Sequence, residues 1–225
     1  MLPVDQGLFG RLRRDAGEHW SNYVRHGFVR QLGAGTLPQP AFQHFLKQDY
    51  LFLIHFARAF ALAAYKSDTL EDLRGAAAAV TAIVDVEMPL HVAYCRDWGL
   101  SEAEMAAEPE AMECVAYTRF VLDRGLSGDR LDLEVALAPC IVGYAEAVAL
   151  LLADPGTMRA GNMYDAWMAA YSGAEYQAAV TAAIDRLDRI GAARGADARY
   201  ENLLSTFVAA TRLEAAFWDM GLRAG

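Results

Sequence analysis

Apolar residues recur at three- and four-residue spacing through nearly every long segment of the chain, and no convincing strand appears. Alanine is abundant and β-branched runs are scarce, which favours helix throughout. The pattern predicts an all-α protein. A first helix reads over residues 5–32, with a break near Gly27, and it closes at the Gly33-Ala34-Gly35-Thr36-Leu37-Pro38 turn. Further helices read over 40–65 and 69–98, the latter stopping at Gly99. Ser101, with Glu104 three positions later, has the pattern of a capping box and opens a short successor. The remaining helices are expected at 108–123, 131–153, 161–171, 174–191 and 197–221, with turns at 125–129 and 154–156 between them.

Connections are short and none resembles a linker, so the expectation is a single domain over 1–225. The Ala76 to Ala79 run reads as a tight helix–helix contact. Residues 135–153 approach membrane-spanning length, but Pro139, Gly143, Tyr144 and Glu146 interrupt them, and Glu146 would be costly in lipid. This segment is expected to be a buried core helix.

Composition narrows the partners. A hydrophobic content of 55% with 11% aromatics suits a packed globule, while a net charge of -9 and a pI near 5.0 repel phosphate backbones and anionic lipid. Neither nucleic acid nor a membrane surface is an expected partner. Cys95, Cys114 and Cys140 form neither a metal-type doublet nor a disulfide framework, which fits a reducing compartment. Asp5, Arg11, Arg13 and Arg14 interrupt any apolar export signal, and a cytoplasmic location is expected.

Three segments could carry chemistry. In LAPCIVGY, Cys140 follows Pro139 and Tyr144 stands one turn later. With Pro139 in the first helical turn, Cys140 would lie at the positive end of the helix dipole, where a thiolate is stabilised; with Pro139 inside the helix, the proline kinks it and releases a carbonyl. The structural alternative is an inert core cysteine. In HFLKQDYLFLIHFARAF, Asp49, Phe52 and Phe56 share a face, so a carboxylate could accept hydrogen bonds from a flat heterocycle beside aromatic rings. The alternative is an Asp paired with Lys47, Arg58 or a backbone donor. In TRLEAAFWDMG, Glu214 shares a face with Phe217 and Trp218, surroundings that disfavour an ionised carboxylate and suit a proton donor. The alternative is a surface Glu bridged to Arg212 or another base. Tyr117, Tyr144, Tyr164 and Tyr171 add phenols that several helices could bring to one pocket; the alternative for each is a core aromatic with a satisfied hydroxyl.

Taken in order, FVRQLGAGTLP, FLKQDYLFLIHFARAFALAAYK, AYTRF, LAPCIVGYAE, YDAWMAAYSG and LEAAFWDM resemble the TenA, or thiaminase II, family of aminopyrimidine aminohydrolases over nearly the whole chain. The resemblance implies a haem-oxygenase-like helical bundle, assembled as a homotetramer and working without a cofactor or metal. It implies Cys140 as nucleophile and Glu214 as acid, with Asp49 on the amino edge of the pyrimidine, Tyr117 and Tyr144 flanking the ring, and Tyr171 orienting Glu214 or Cys140. Phe52 stands where the family often has Tyr, so its implied part is packing. The implied substrates are 4-amino-5-aminomethyl-2-methylpyrimidine and thiamin, both yielding the hydroxymethylpyrimidine.

Two rival readings follow from the same residues. Glu87 and His91, one helical turn apart, have a spacing compatible with metal ligation in a di-iron oxidoreductase, although a second such doublet is missing and the pair reads mainly as structural. A pyrimidine-binding protein without turnover is the other.

Overall fold

The computed structural model describes residues 4–225. Met1–Pro3, the start of the stretch read above for an export signal and of the 1–225 domain, lie outside the described residues. Every regular element among the described residues is helical: α1 (Gly7–Asp15), α2 (Glu18–Val24), α3 (Gly27–Gly33), α4 (Gln39–Tyr65), α5 (Leu70–Ala82), α6 (Met88–Asp97), α7 (Glu102–Ala107), α8 (Met112–Ser127), α9 (Arg130–Ala153), α10 (Asp165–Ser172), α11 (Ala174–Ala193) and α12 (Tyr200–Arg223). The all-α expectation holds.

The differences from the expected boundaries have local causes. The segment 5–32 forms three helices. Gly17, at φ +54°, turns the chain between α1 and α2, and the His26 ring accepts the Phe28 N–H to cap α3, next to the expected break at Gly27. The helix read over 69–98 contains a π turn, Ile83–Glu87, where the Met88 N–H reaches back to the Ile83 carbonyl. Pro89 follows at the start of α6, where it lacks the N–H a regular helix would use. The helix read over 108–123 starts later because the buried Gln48 side chain holds the 109–111 backbone extended: it donates to the Pro109 carbonyl at 2.9 Å and accepts the Ala111 N–H at 2.8 Å. Likewise Asn162 donates to the carbonyls of Leu32, Gly33 and Met158 and accepts the Tyr164 N–H, which keeps 161–164 out of α10. The Ser101–Glu104 capping box is present.

Contacts divide the chain into two compact units: residues up to Leu37 together with Glu134–Asp219, and Pro38–Leu133 together with Met220–Gly225. In the first unit Phe9, Trp20 and Phe207 form an aromatic core, Trp20 stacking on Phe207 at 5.4 Å. Arg13 grips Glu146 through two hydrogen bonds, of 2.8 and 2.7 Å, so the carboxylate that interrupts the apolar α9 is paired. In the second unit α4 is the axis against which α5, α6, α7 and α8 pack.

Two helical stretches, Leu70–Asp97 and Arg130–Ala153, are long and apolar enough to cross a membrane by length and composition. Their burial separates them. Two thirds of the second window is inside the protein, as expected for a core helix, whereas only 11% of the first is buried. Leu70, Leu73, Val84, Val86 and Leu90 are exposed along it. Of the Ala76 to Ala79 run, expected to pack tightly, only Ala76 is fully buried.

Candidate active site

The first unit carries Cys140, Tyr144, Tyr171 and Glu214. Pro139 lies well inside α9, so the helix-kink geometry applies and Cys140 gains nothing from a helix N-terminus. Two phenols reach the backbone on either side of the thiol. The Tyr23 hydroxyl donates to the Pro139 carbonyl at 3.3 Å, and the Tyr176 hydroxyl donates to the Ile141 carbonyl at 3.0 Å. Gly143, one turn beyond Pro139, permits the first contact: a Cβ there would sit 2.1 Å from Cε1 of Tyr23.

Burial distinguishes the three cysteines. Cys95 and Cys114 are fully buried, and desolvation is the main force pushing each thiol up to about 12. Both are inert at neutral pH by that measure. Cys140, by contrast, is half-buried.

On α12, Glu214 is 2% exposed and shares its buried face with Phe217 and Trp218. Arg212 lies on the exposed side, which removes the expected surface alternative of an Arg212 bridge across the helix. Tyr144, one turn after Cys140, and Trp218, one turn after Glu214, pack with ring centroids 5.0 Å apart. Tyr171 lies 5.0 Å from Tyr144 and 4.6 Å from Trp167, and Tyr176 meets the edge of Tyr171 at 4.9 Å. The α9 turn bearing Cys140 and the α12 turn bearing Glu214 are thus joined through one aromatic cluster.

The second unit carries Asp49, Phe52 and Tyr117. Phe52 stacks on Tyr117 at 5.3 Å and on Phe56 at 5.5 Å. Asp49 is buried, and its partner is neither Lys47 nor Arg58. Its Oδ2 lies 3.5 Å from Nδ1 of His91, whose Nε2 is 2.9 Å from the Leu46 carbonyl. A carbonyl can only accept, so Nε2 carries the proton and Nδ1 turns a lone pair toward Asp49. Burial pushes His91 down and Asp49 up to about 7. A protonated Asp49 facing a neutral imidazole reconciles all three observations.

His91 therefore pairs with Asp49 and Leu46, which replaces the expected Glu87–His91 structural pair. Glu87 keeps solvent access, yet the protein around its carboxyl, followed by the Asp49 charge, pushes it up to about 7. Among the described residues no group of three or more His, Cys, Asp and Glu side chains could hold a metal ion.

Tyr164 follows the alternative reading of a core aromatic with a satisfied hydroxyl: it is fully buried and donates to the Leu37 carbonyl. Tyr23, Tyr176 and Trp167 were not singled out from the sequence. Their only signal there is aromatic density, since each reaches α9 from a distant segment.

A half-buried thiol, a buried carboxyl and an aromatic cluster are thus carried by one unit of an all-helical scaffold. Residues 13–224 match the TENA/THI-4/PQQC family, and the chain belongs to it. It is 36% identical over 202 residues to the aminopyrimidine aminohydrolase of Halalkalibacterium halodurans, covering 89% of each chain. A TenA family transcription regulator from Silicibacter sp. TM1040 superposes with a TM-score of 0.90 at 44% identity, over 98% of this chain and 99% of that one. A protein with a haem-oxygenase-like fold from Shewanella denitrificans OS217 superposes at TM-score 0.75 and 11% identity, over 95% and 91%, which shows the fold alone. The fold is haem-oxygenase-like, and the aminohydrolase relative supports a hydrolase.

Proposed function

We propose that the protein is an aminopyrimidine aminohydrolase of thiamin metabolism, acting on 4-amino-5-aminomethyl-2-methylpyrimidine, and on thiamin, to give 4-amino-5-hydroxymethyl-2-methylpyrimidine. The observation that carries the reading is the 5.0 Å contact of Tyr144 with Trp218, which ties the Cys140 turn to the Glu214 turn.

In this reading the Cys140 thiolate forms a C–S bond to the electron-poor ring while Glu214 protonates a ring nitrogen. The ring electrons then expel the amine from the methylene carbon. Water adds its oxygen to that carbon and its proton balances the departing amine, after which the C–S bond breaks and Glu214 recovers its proton. Tyr144 flanks the ring, and Tyr171 orients Glu214 or Cys140. Asp49 is assigned to the pyrimidine amino edge and Tyr117 to the ring, with Phe52 limited to packing. The carboxyl of Asp49, held near neutrality, would pass between donor and acceptor roles toward an amidine-like edge.

The whole chain acts as one functional domain in this proposal, in the cytoplasm and as a homotetramer. The exposed apolar side chains Leu70, Leu73, Val84, Val86 and Leu90 support association, because exposed apolar surface often marks a contact between proteins. Incubating the protein separately with the aminomethylpyrimidine and with thiamin, and following the hydroxymethylpyrimidine by mass, tests the reading. Turnover of the first substrate is expected. Tight binding of the pyrimidine without product from either substrate would leave a binding protein in its place.

A further inference from the structure

We infer that an open cleft bounded by α2, α3 and α12 binds a small phosphate-bearing anion, at a site separate from the Cys140 and Glu214 groups. The cleft measures about 670 Å³, within the size range of small-molecule sites. Arg25 follows α2, Arg30 lies on α3 and Arg212 lies on α12, and all three line it together with His19, His26 and Asp219.

The charge balance here is opposite to that of the molecule. The chain carries a net -9, yet the cleft sets three guanidiniums against one carboxylate. That carboxylate already has a partner, since Nε2 of His26 lies 3.1 Å from Oδ1 of Asp219. Nδ1 of His26 accepts the Phe28 N–H, so Nε2 carries the ring proton and donates to Asp219. Burial pushes the His26 imidazole down, which leaves it neutral at neutral pH. No ion pair of Arg25, Arg30 or Arg212 occurs among the described residues.

Three arginines against one carboxylate leave the cleft with excess positive charge, a site for an anion supplied from solution. A single carboxylate satisfies one guanidinium fork, whereas a diphosphate offers several oxygens and more than one charge to three of them. A polyanion such as nucleic acid is disfavoured by the acidic remainder of the chain, so the ligand is small. Arg212 and Asp219 are on the face of α12 away from Glu214, and neither Cys140, Tyr144, Tyr171 nor Glu214 lines the cleft. The inference is therefore independent of the proposed chemistry, although a ligand here would bear on the helix that carries Glu214.

The test is calorimetric titration of inorganic pyrophosphate into the full-length protein at constant ionic strength. Saturable binding is expected, and Arg25→Ala combined with Arg212→Ala should weaken it by about tenfold or more. Arg74→Ala, a change to an exposed arginine on α5, should leave it unaltered. Arg212→Glu gives a second variant that reverses charge without reducing side-chain bulk to a methyl. Absence of saturable heat at millimolar pyrophosphate overturns the inference, as does equal weakening by Arg74→Ala, which would mean general charge screening. A change in sedimentation coefficient in the Arg25/Arg212 variant would also overturn it, because the cleft would then be a contact between copies of the chain.

Discussion

The Tyr23 hydroxyl donates to the carbonyl of Pro139, the residue immediately before Cys140, at 3.3 Å. Pro139 cannot donate in the α9 ladder, so the helix lacks one backbone bond in the turn leading to Cys140. Tyr23 on one side and Tyr176, bonded to Ile141 at 3.0 Å, on the other hold this turn from outside the helix. Tyr23→Phe keeps the ring and removes the bond. It is expected to cost about 1 kcal/mol in chemical denaturation. If the bond also positions the thiol, kcat should fall by more than KM rises, and iodoacetamide alkylation of Cys140 should change its pH profile. A variant that loses stability but keeps both kinetic constants and the alkylation profile would limit Tyr23 to a structural part.

Gly143→Ala addresses the same contact from the helix side. A Cβ 2.1 Å from Cε1 of Tyr23 cannot be accommodated without moving the ring or α9, because the next nearest atoms, Cζ and Oη of Tyr23, are both 2.6 Å away. Overpacking of this kind should cost about 1–3 kcal/mol, offset only slightly by the higher helix propensity of Ala. Adding Tyr23→Ala should recover part of the loss. A double-variant cycle with no coupling would show that the clash is relieved elsewhere.

How much of this was legible in the sequence depends on range. Periodicity gave α4, α9, α11 and α12 nearly in place, and the Ser101 capping box was read from two residues three positions apart. The missed boundaries were set from afar: Gln48 delays α8 through a contact 63 residues away, and Asn162 shortens α10 by binding carbonyls of Leu32 and Gly33. The candidate site divides in the same way. Cys140 and Tyr144, or Glu214 and Trp218, could be paired by helical spacing. That Tyr144 meets Trp218, that His91 turns to Asp49 and not to Glu87, and that Tyr23 supports Pro139 are contacts between distant segments, which no local pattern encodes.

Cys140→Ala should abolish formation of hydroxymethylpyrimidine while leaving the affinity for the aminopyrimidine within a few fold, since binding rests on aromatic and carboxyl groups. Glu214→Gln should do the same with the thiol still open to alkylation. Cys95→Ala makes the control, because that thiol is fully buried and pushed up to about 12. Its activity per folded molecule should match the parent. An active Cys140→Ala protein would remove the covalent step but not the binding site.

Asp49→Asn should alter how stability depends on pH. The Asp49 carboxyl is raised from 3.8 to about 7 in the folded protein, so between those values the folded state holds a proton that the unfolded state has released. Its contribution is fully present below 3.8, is lost as pH rises through about 7, and stays lost above that. Glu87, raised from 4.5 to about 7 by desolvation and by Asp49, acts in the same sense. Asn cannot ionise and nearly matches the protonated carboxyl in shape. The variant should therefore melt higher than the parent at pH 8, with the difference vanishing near pH 4. The ceiling on the gain is about 4 kcal/mol, from roughly three pH units at about 1.4 kcal/mol each. A variant that melts below the parent at pH 8 would mean that a cation holds the ionised Asp49 there, contrary to the neutral His91 inferred from its bond to Leu46.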